Sequence, residues 1–283
     1  MLSTTLQTAK ECNIPTSRLF VFDASDHGPS DGYRSWDELL QHGEADWVRF
    51  KNREEASTTV ATLGFTSGTT GLPKAAMVSH EYSVSQIFGI RSRDKPYEVG
   101  NPERSVTISC ADRLQVSRLI CLPAFHAFGM PLISGCAIRY HETVYLMRRF
   151  DTKQFVEDIE RFHITEIPVV PAMIVAILNS PVTKKRHLES LRYVWSAGSP
   201  LRASTQAEFK SLLASEAKLS QVWGMTETGW ALFFSWPEGD DTGSVGRIMD
   251  GMGAWSVLWS RFEHTINVLT VLRVVSRTRI VIL

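Results

Sequence analysis

The sequence predicts an α/β fold in which mixed sheets are flanked by helices. Two observations carry this. Apolar strand-like runs alternate with amphipathic helical stretches from residue 143 to the helix opened by Pro171. Three earlier or later runs, at 60–65, 119–122 and 191–195, each end in a turn built from small, hydroxyl or proline residues.

Taken in order, residues 3–12 read as a short helix and residues 18–23 as a short strand. Ser35-Trp36-Asp37-Glu38 has capping-box spacing, so a helix runs through Leu39 and Leu40 until Gly43 ends it. The polar stretch 51–57 reads as a loop. The run 60–65 reads as a buried strand, 66–74 as a loop and 75–78 as the return strand. Ser79 then caps a helix with Val84, Ile87 and Phe88 on one face, beside His80. Residues 91–105 are charged, contain Pro96 and Pro102, and read as a loop. A strand ends at Pro123 and an aromatic-rich helix follows. Residues 143–146 form a strand, and Asp151 caps a helix carrying Phe155, Ile159 and Phe162 on one face. Residues 164–170 return as a strand before the Pro171 helix. Residues 191–195 lead into the turn at 196–201 and another helix. This βαβα rhythm implies a parallel or mixed sheet covered by helices.

Composition narrows the function. The chain has 283 residues, ample for a core, and its 30 basic residues balance 30 acidic ones. Nothing argues for nucleic acid or a membrane surface, and no apolar run reaches the length of a membrane span. Cys12, Cys110, Cys121 and Cys136 are scattered, which speaks against a disulfide framework or zinc site. No signal-peptide core opens the chain, and a soluble cytoplasmic protein is expected.

The chemistry concentrates in Thr66-Ser67-Gly68-Thr69-Thr70-Gly71-Leu72-Pro73-Lys74. Glycines let several backbone N–H groups converge on one point. The hydroxyls add donors, and Lys74 adds a full charge suited to a polyphosphate. A bond to a charged partner contributes about 1.5–3 kcal/mol, so a handful can hold the tail of ATP. This is not the Gly-x-x-x-x-Gly-Lys-Ser/Thr loop, because Pro73 precedes the lysine and Ala75 follows it.

Residues 66–74 resemble the phosphate loop of the adenylate-forming (AMP-binding) superfamily, and further motifs of that family recur in order. Leu122-Pro123-Ala124-Phe125-His126-Ala127-Phe128-Gly129 resembles its second core motif, which implies that His126 gates the acyl pocket between acid and phosphate. Taken alone, His126 reads as a satisfied core histidine; Phe128, Met130 and Leu132 read as pocket wall or as core. Ser196-Ala197-Gly198-Ser199-Pro200-Leu201 resembles the turn whose backbone approaches adenine, implicating Gly198 and Ser199. Trp223-Gly224-Met225-Thr226-Glu227 is similar to the family's YGxTE motif. The resemblance implies Trp223 against adenine, Thr226 on the α-phosphate and Glu227 holding Mg²⁺; a Thr-Glu pair also reads as a helix N-terminus. Gly243-Ser244-Val245-Gly246-Arg247 matches the turn that comes next.

The resemblance covers roughly residues 15–250. It implies a partial large N-terminal domain over 1–250, an atypical tail over 251–283 and no C-terminal small domain. The tail lacks the family's ribose-binding aspartate and transition-state lysine, and reads as a shifted frame or unspliced intron with strands near 266–269 and 280–283. The implied reaction is acyl- or aryl-CoA ligation: a small-molecule carboxylic acid and ATP give acyl-AMP, then acyl-CoA, with ATP, Mg²⁺ and CoA as cofactors. Some relatives are peroxisomal, but Val281-Ile282-Leu283 is no targeting tripeptide. Little complete activity is expected from this chain alone. A non-catalytic ATP-binding or interaction protein and an inactive pseudogene fragment stay open, as do the acid and the oligomeric state.

Overall fold

The structure is a computed structural model that describes residues 2–21, 33–44, 46, 48–66, 72–91, 116–250, 252–253 and 275–276. It divides into two units, Met1–Phe50 and Lys51–Leu283. In the first, helix α1 (Leu2–Glu11) precedes a 3₁₀ turn (Thr16–Arg18), strand β1 (Phe20–Val21), strand β2 (Arg34–Ser35) and a 3₁₀ helix (Trp36–His42). β1 and β2 pair in parallel. The Ser35 hydroxyl accepts from the Asp37 N–H at 3.2 Å, one residue earlier than the capping-box spacing implies, and the helix is correspondingly tight. Gly43 ends it with φ 74°.

The second unit opens on a difference from the sequence reading. Residues 51–57 are not all loop: helix α2 (Arg53–Thr58) forms there, capped by Asn52, whose side chain accepts from Glu55 N–H at 2.8 Å. The Glu55 carboxylate reaches back to Lys51 N–H at 2.8 Å, a near-capping-box arrangement that offsets the low apolar content. Strands β3 (Val60–Phe65) and β4 (Ala75–Ser79) follow as an antiparallel pair. β3 is not buried: Val60, Leu63 and Phe65 are exposed among the described residues. Ser79 caps helix α3 (His80–Arg91) as expected, accepting from Tyr82 N–H at 3.2 Å. The buried face of α3 holds Tyr82, Gln86, Gly89 and Ile90, while Val84 and Phe88 point outward. The expected loop at 91–105 lies outside the described residues beyond Arg91.

The centre of the unit is an all-parallel sheet in the order β6-β5-β7-β8-β9. Its strands are β5 (Ser117–Ile120), β6 (Thr143–Leu146), β7 (Glu166–Val169), β8 (Tyr193–Ser196) and β9 (Lys218–Gln221). Between them lie a π-helical turn (Pro131–Cys136) with helix α4 (Ala137–Tyr140), then α5 (Thr152–Arg161), α6 (Pro171–Leu178) and α7 (Ala203–Leu212). Asp151 caps α5 by accepting from Gln154 N–H at 2.9 Å. Period-two alternation sorts the core into two layers. Leu119, Ile167, Val169, Val194 and Leu219 face Phe155, Ile159, Ile174 and Phe209 of α5, α6 and α7. Ile120, Tyr193 and Trp195 face the other way, against Ile90, Phe128, Leu132 and Trp230. Each fully buried side chain contributes about 1.5–3 kcal/mol. An antiparallel sheet, β10 (Trp223–Met225), β11 (Gly229–Phe233) and β12 (Arg247–Ile248), covers part of that second layer. The architecture is the mixed α/β one the sequence implies. β13 (Met252–Gly253) pairs with β14 (Val275–Ser276), and the strands expected at 266–269 and 280–283 lie outside the described residues.

Candidate functional site

Parallel strands open their carboxyl ends to one side, and there five segments line a cleft of about 730 Å³. The β3–β4 hairpin supplies Thr66 and Lys74. Thr66 N–H donates to the Lys74 carbonyl at 2.9 Å, which closes the base of the expected phosphate loop. Ser67, Gly68, Thr69, Thr70 and Gly71 lie outside the described residues.

The turn after β8 supplies Ala197, Gly198, Ser199, Pro200 and Leu201. It is tied to β9 on both sides. Val222 N–H donates to the Ser196 carbonyl at 2.8 Å, and Leu201 N–H to Gln221 Oε1 at 2.8 Å. Gly198 has φ 90°, a left-handed conformation that a larger residue adopts only with strain, so backbone shape demands glycine there, while a β-carbon would meet Val170 Cγ1 at an ordinary 3.5 Å.

Strand β10 and its turn supply Trp223, Gly224, Met225, Thr226 and Glu227. Thr226 and Glu227 do not start a helix; they form a hairpin turn between β10 and β11. Thr228 N–H donates to the Met225 carbonyl, and Met225 N–H to the Thr228 hydroxyl, both at 3.2 Å. The turn leading out of β5 supplies His126, which is exposed, lines the cleft and is not a core histidine. Its Nδ1 accepts from Phe128 N–H at 3.1 Å, which in the neutral ring leaves Nε2 to carry the proton. Phe128 both lines the cleft and packs in the core, Leu132 is core only, and Met130 is half-buried.

Every described residue assigned to the site from sequence therefore lines one cleft. Gln221, Val222, Gly229, Trp230, Gly243 and Val245, which the sequence reading did not assign to the site, also line it. The match at 243–247 was the available signal for the last two. Asp240 shapes that rim. Burial alone would raise its carboxyl, but the Thr242 hydroxyl and the N–H groups of Thr242, Gly243 and Ser244 outweigh burial and hold it below its ordinary range. Such a group stabilises the fold above the ordinary carboxylate pKa, and that contribution is lost as pH falls through the lowered value. Hydrogen exchange at the Gly243 amide, corrected for its intrinsic rate, is expected to speed up in acid.

The cleft can bind a polyanion with a metal. Lys74 supplies charge and Thr226 a hydroxyl; Glu227 supplies a hard oxygen. No cluster of three or more His, Cys, Asp or Glu gathers among the described residues. Among the described lining residues Glu227 is the carboxylate, and it could hold a hard divalent cation shared with ligand phosphates.

One contact joins the two hairpins. A β-carbon added to Gly64 of β3 would stand 2.7 Å from the Thr226 γ-methyl, closer than real side chains approach. Gly64→Ala is expected to turn the Thr226 side chain, and with it the hydroxyl, out of place and to weaken nucleotide binding about tenfold, the equivalent of one lost hydrogen bond, as calorimetric titration would show.

Comparison with known proteins identifies the family. Residues 11–255 match the family described as AMP-binding enzyme. The chain is 37% identical to the acyl-CoA synthetase ACTT5 of Alternaria alternata over 250 residues, covering 88% of the chain and 41% of the relative. It is also 37% identical to the phenylacetyl-CoA ligase epaB of Aspergillus niger, covering 90% and 45% respectively. Thus it spans less than half the length of these curated relatives. Among solved structures, o-succinylbenzoate CoA synthetase (MenE) from Bacillus subtilis, in complex with its acyl-adenylate intermediate OSB-AMP, superposes with TM-score 0.54 at 25% identity, covering 70% of this chain and 37% of that one. The chain belongs to the family of AMP-binding enzymes.

Proposed function

We propose that the cleft binds Mg-ATP for the activation of a small carboxylic acid, as the nucleotide half of an acyl- or aryl-CoA ligase. One observation carries this: Lys74 and the Thr226–Glu227 turn, from segments far apart in sequence, line the same cleft as Gly198, Ser199 and Trp223. Adenine lies against the small-residue turn and Trp223, and the phosphate chain runs toward Lys74. The Thr226 hydroxyl donates to the α-phosphate. Glu227 would hold Mg²⁺, which when bound would supply positive charge to the phosphates. The acid carboxylate attacks the α-phosphorus, pyrophosphate leaves, and acyl-AMP forms. Preorganised donors aimed at the developing charge lower that barrier, and His126 Nε2–H is placed to orient the acid or the phosphate.

CoA as the acceptor of the acyl group, and an aromatic acid as one candidate substrate, follow from what the two relatives are called. Acid-dependent exchange of labelled pyrophosphate into ATP, run over a panel of aromatic and aliphatic acids, tests the proposal. Exchange is expected with at least one acid, and Glu227→Ala or Lys74→Ala is expected to lower it about 10²–10³-fold. ATP binding without exchange for any acid would favour a nucleotide-binding protein without the chemistry.

A further inference from the structure

Helix α3 carries a buried amide that does not line the cleft. Gln86 is 4% exposed, and its amide bonds the backbone of Thr228 and Trp230, with Nε2 also 3.9 Å from Met249 Sδ. Its Nε2 donates to the Thr228 carbonyl at 3.3 Å and the Trp230 carbonyl at 3.2 Å, and its Oε1 accepts from Trp230 N–H at 2.8 Å. Trp230 thus exchanges both of its backbone bonds with this side chain, as it would with a neighbouring strand.

The bonded residues immediately follow Thr226 and Glu227. Thr228 closes their turn through Met225, so whatever holds the Thr228 carbonyl also holds the turn. A second route leads to His126. The Trp230 indole N–H donates to the Phe128 carbonyl at 3.0 Å, and Phe128 N–H donates to His126 Nδ1. The fit is close: a β-carbon on Gly229 would stand 2.8 Å from Gln86 Cδ and 2.9 Å from the Tyr82 hydroxyl. Helix α3 itself starts directly from β4, the strand that follows Lys74, and is anchored at its other end by Arg91 to Glu142 and Glu166.

We propose that Gln86 is a positioning residue that sets the Thr226–Glu227 turn, and through Trp230 the His126 loop, against the Lys74 strand. Mg-ATP affinity then depends on a residue that never touches the nucleotide. The inference rests on the function proposed above.

The test compares Gln86→Met, of similar length but without the bonds, and Gln86→Glu, which when ionised keeps only the acceptor, with the unaltered chain. Phe209→Leu serves as a control that loosens the core on the opposite face of the sheet. Binding is measured well below every melting temperature, where it reports placement and not stability. Both Gln86 variants are expected to bind Mg-ATP at least about tenfold more weakly, the equivalent of one lost buried hydrogen bond, while Phe209→Leu stays within about twofold. Folded Gln86 variants that bind like the unaltered chain would overturn this inference alone. An unaltered chain that does not bind Mg-ATP would overturn the proposed function and this inference with it. Should neither Gln86 variant fold, the Gln86 side-chain NH₂ resonance of the unaltered chain decides, assigned through its contacts to Trp230. It should shift on saturation with Mg-ATP, and a stationary resonance contradicts the proposal.

Discussion

Replacing Glu166 with alanine is expected to cost about 3–5 kcal/mol of folding stability, the magnitude seen when one partner of a buried ion pair is removed. Glu166 on β7 stands opposite Arg118 on β5 and accepts from it at 2.6 and 3.2 Å, and from Arg91 of α3 at 2.8 and 3.1 Å. Glu142 completes the group, bonded to Arg91 at 2.6 Å and to Arg118 at 2.7 Å. Burial disfavours the Arg118 charge, yet Glu166 and Glu142 outweigh it and raise its pKa, against a smaller opposing effect from Arg91. Two positive and two negative side chains cancel inside the fold, so deleting Glu166 leaves a net buried charge under the Trp195 ring. Urea unfolding measures the loss. An Arg118→Met/Glu166→Met pair, which removes one charge of each sign, is expected to recover a large part of it; a single variant within about 1 kcal/mol of the parent would contradict the account.

Gly246→Ala is expected to cost about 3 kcal/mol, the upper range for a strained backbone position that also meets a backbone clash. Gly246 has φ 101°, and a β-carbon there would overlap the main chain of Phe233. Backbone cannot step aside as a flexible side chain can, so the pairing of Phe233 with Arg247 and of Leu232 with Ile248 must open. β11 carries buried Trp230 and Phe233, and the loss spreads into the second core layer. Thermal and urea unfolding check this, with an unchanged midpoint as the contrary result.

Local chemistry was the legible part of the chain. Caps at Ser79 and Asp151, Pro171 at a helix start and the Gly43 stop each depend on a few neighbouring residues, and the structure shows them. The βαβα rhythm made a helix-covered sheet legible but left it parallel or mixed; that the central sheet is all parallel comes from the structure. Residue 52 carried a readable cap that the polar composition of 51–57 obscured. The apolar run of β3 says that its side chains suit a strand, not which face finds a partner, and so its exposure was not foreseen. Thr226 and Glu227 suit a helix start equally well; what makes them a hairpin turn is the Thr228–Met225 closure and the clamp by Gln86. Gln86 bonded to Trp230, and Arg118 bonded to Glu166, are long-range pairings without any local periodicity, and only the fold reveals them.

The central claim is that Lys74 and the Thr226–Glu227 turn form a working nucleotide site within this chain. A thermal melt with and without Mg-ATP tests it most directly, with Lys74→Ala and Glu227→Ala run beside the parent. Saturation at a hundred times the dissociation constant should stabilise the parent by about 2.7 kcal/mol, and both variants should lose most of the shift. A cooperative melt that Mg-ATP leaves unmoved would contradict the claim.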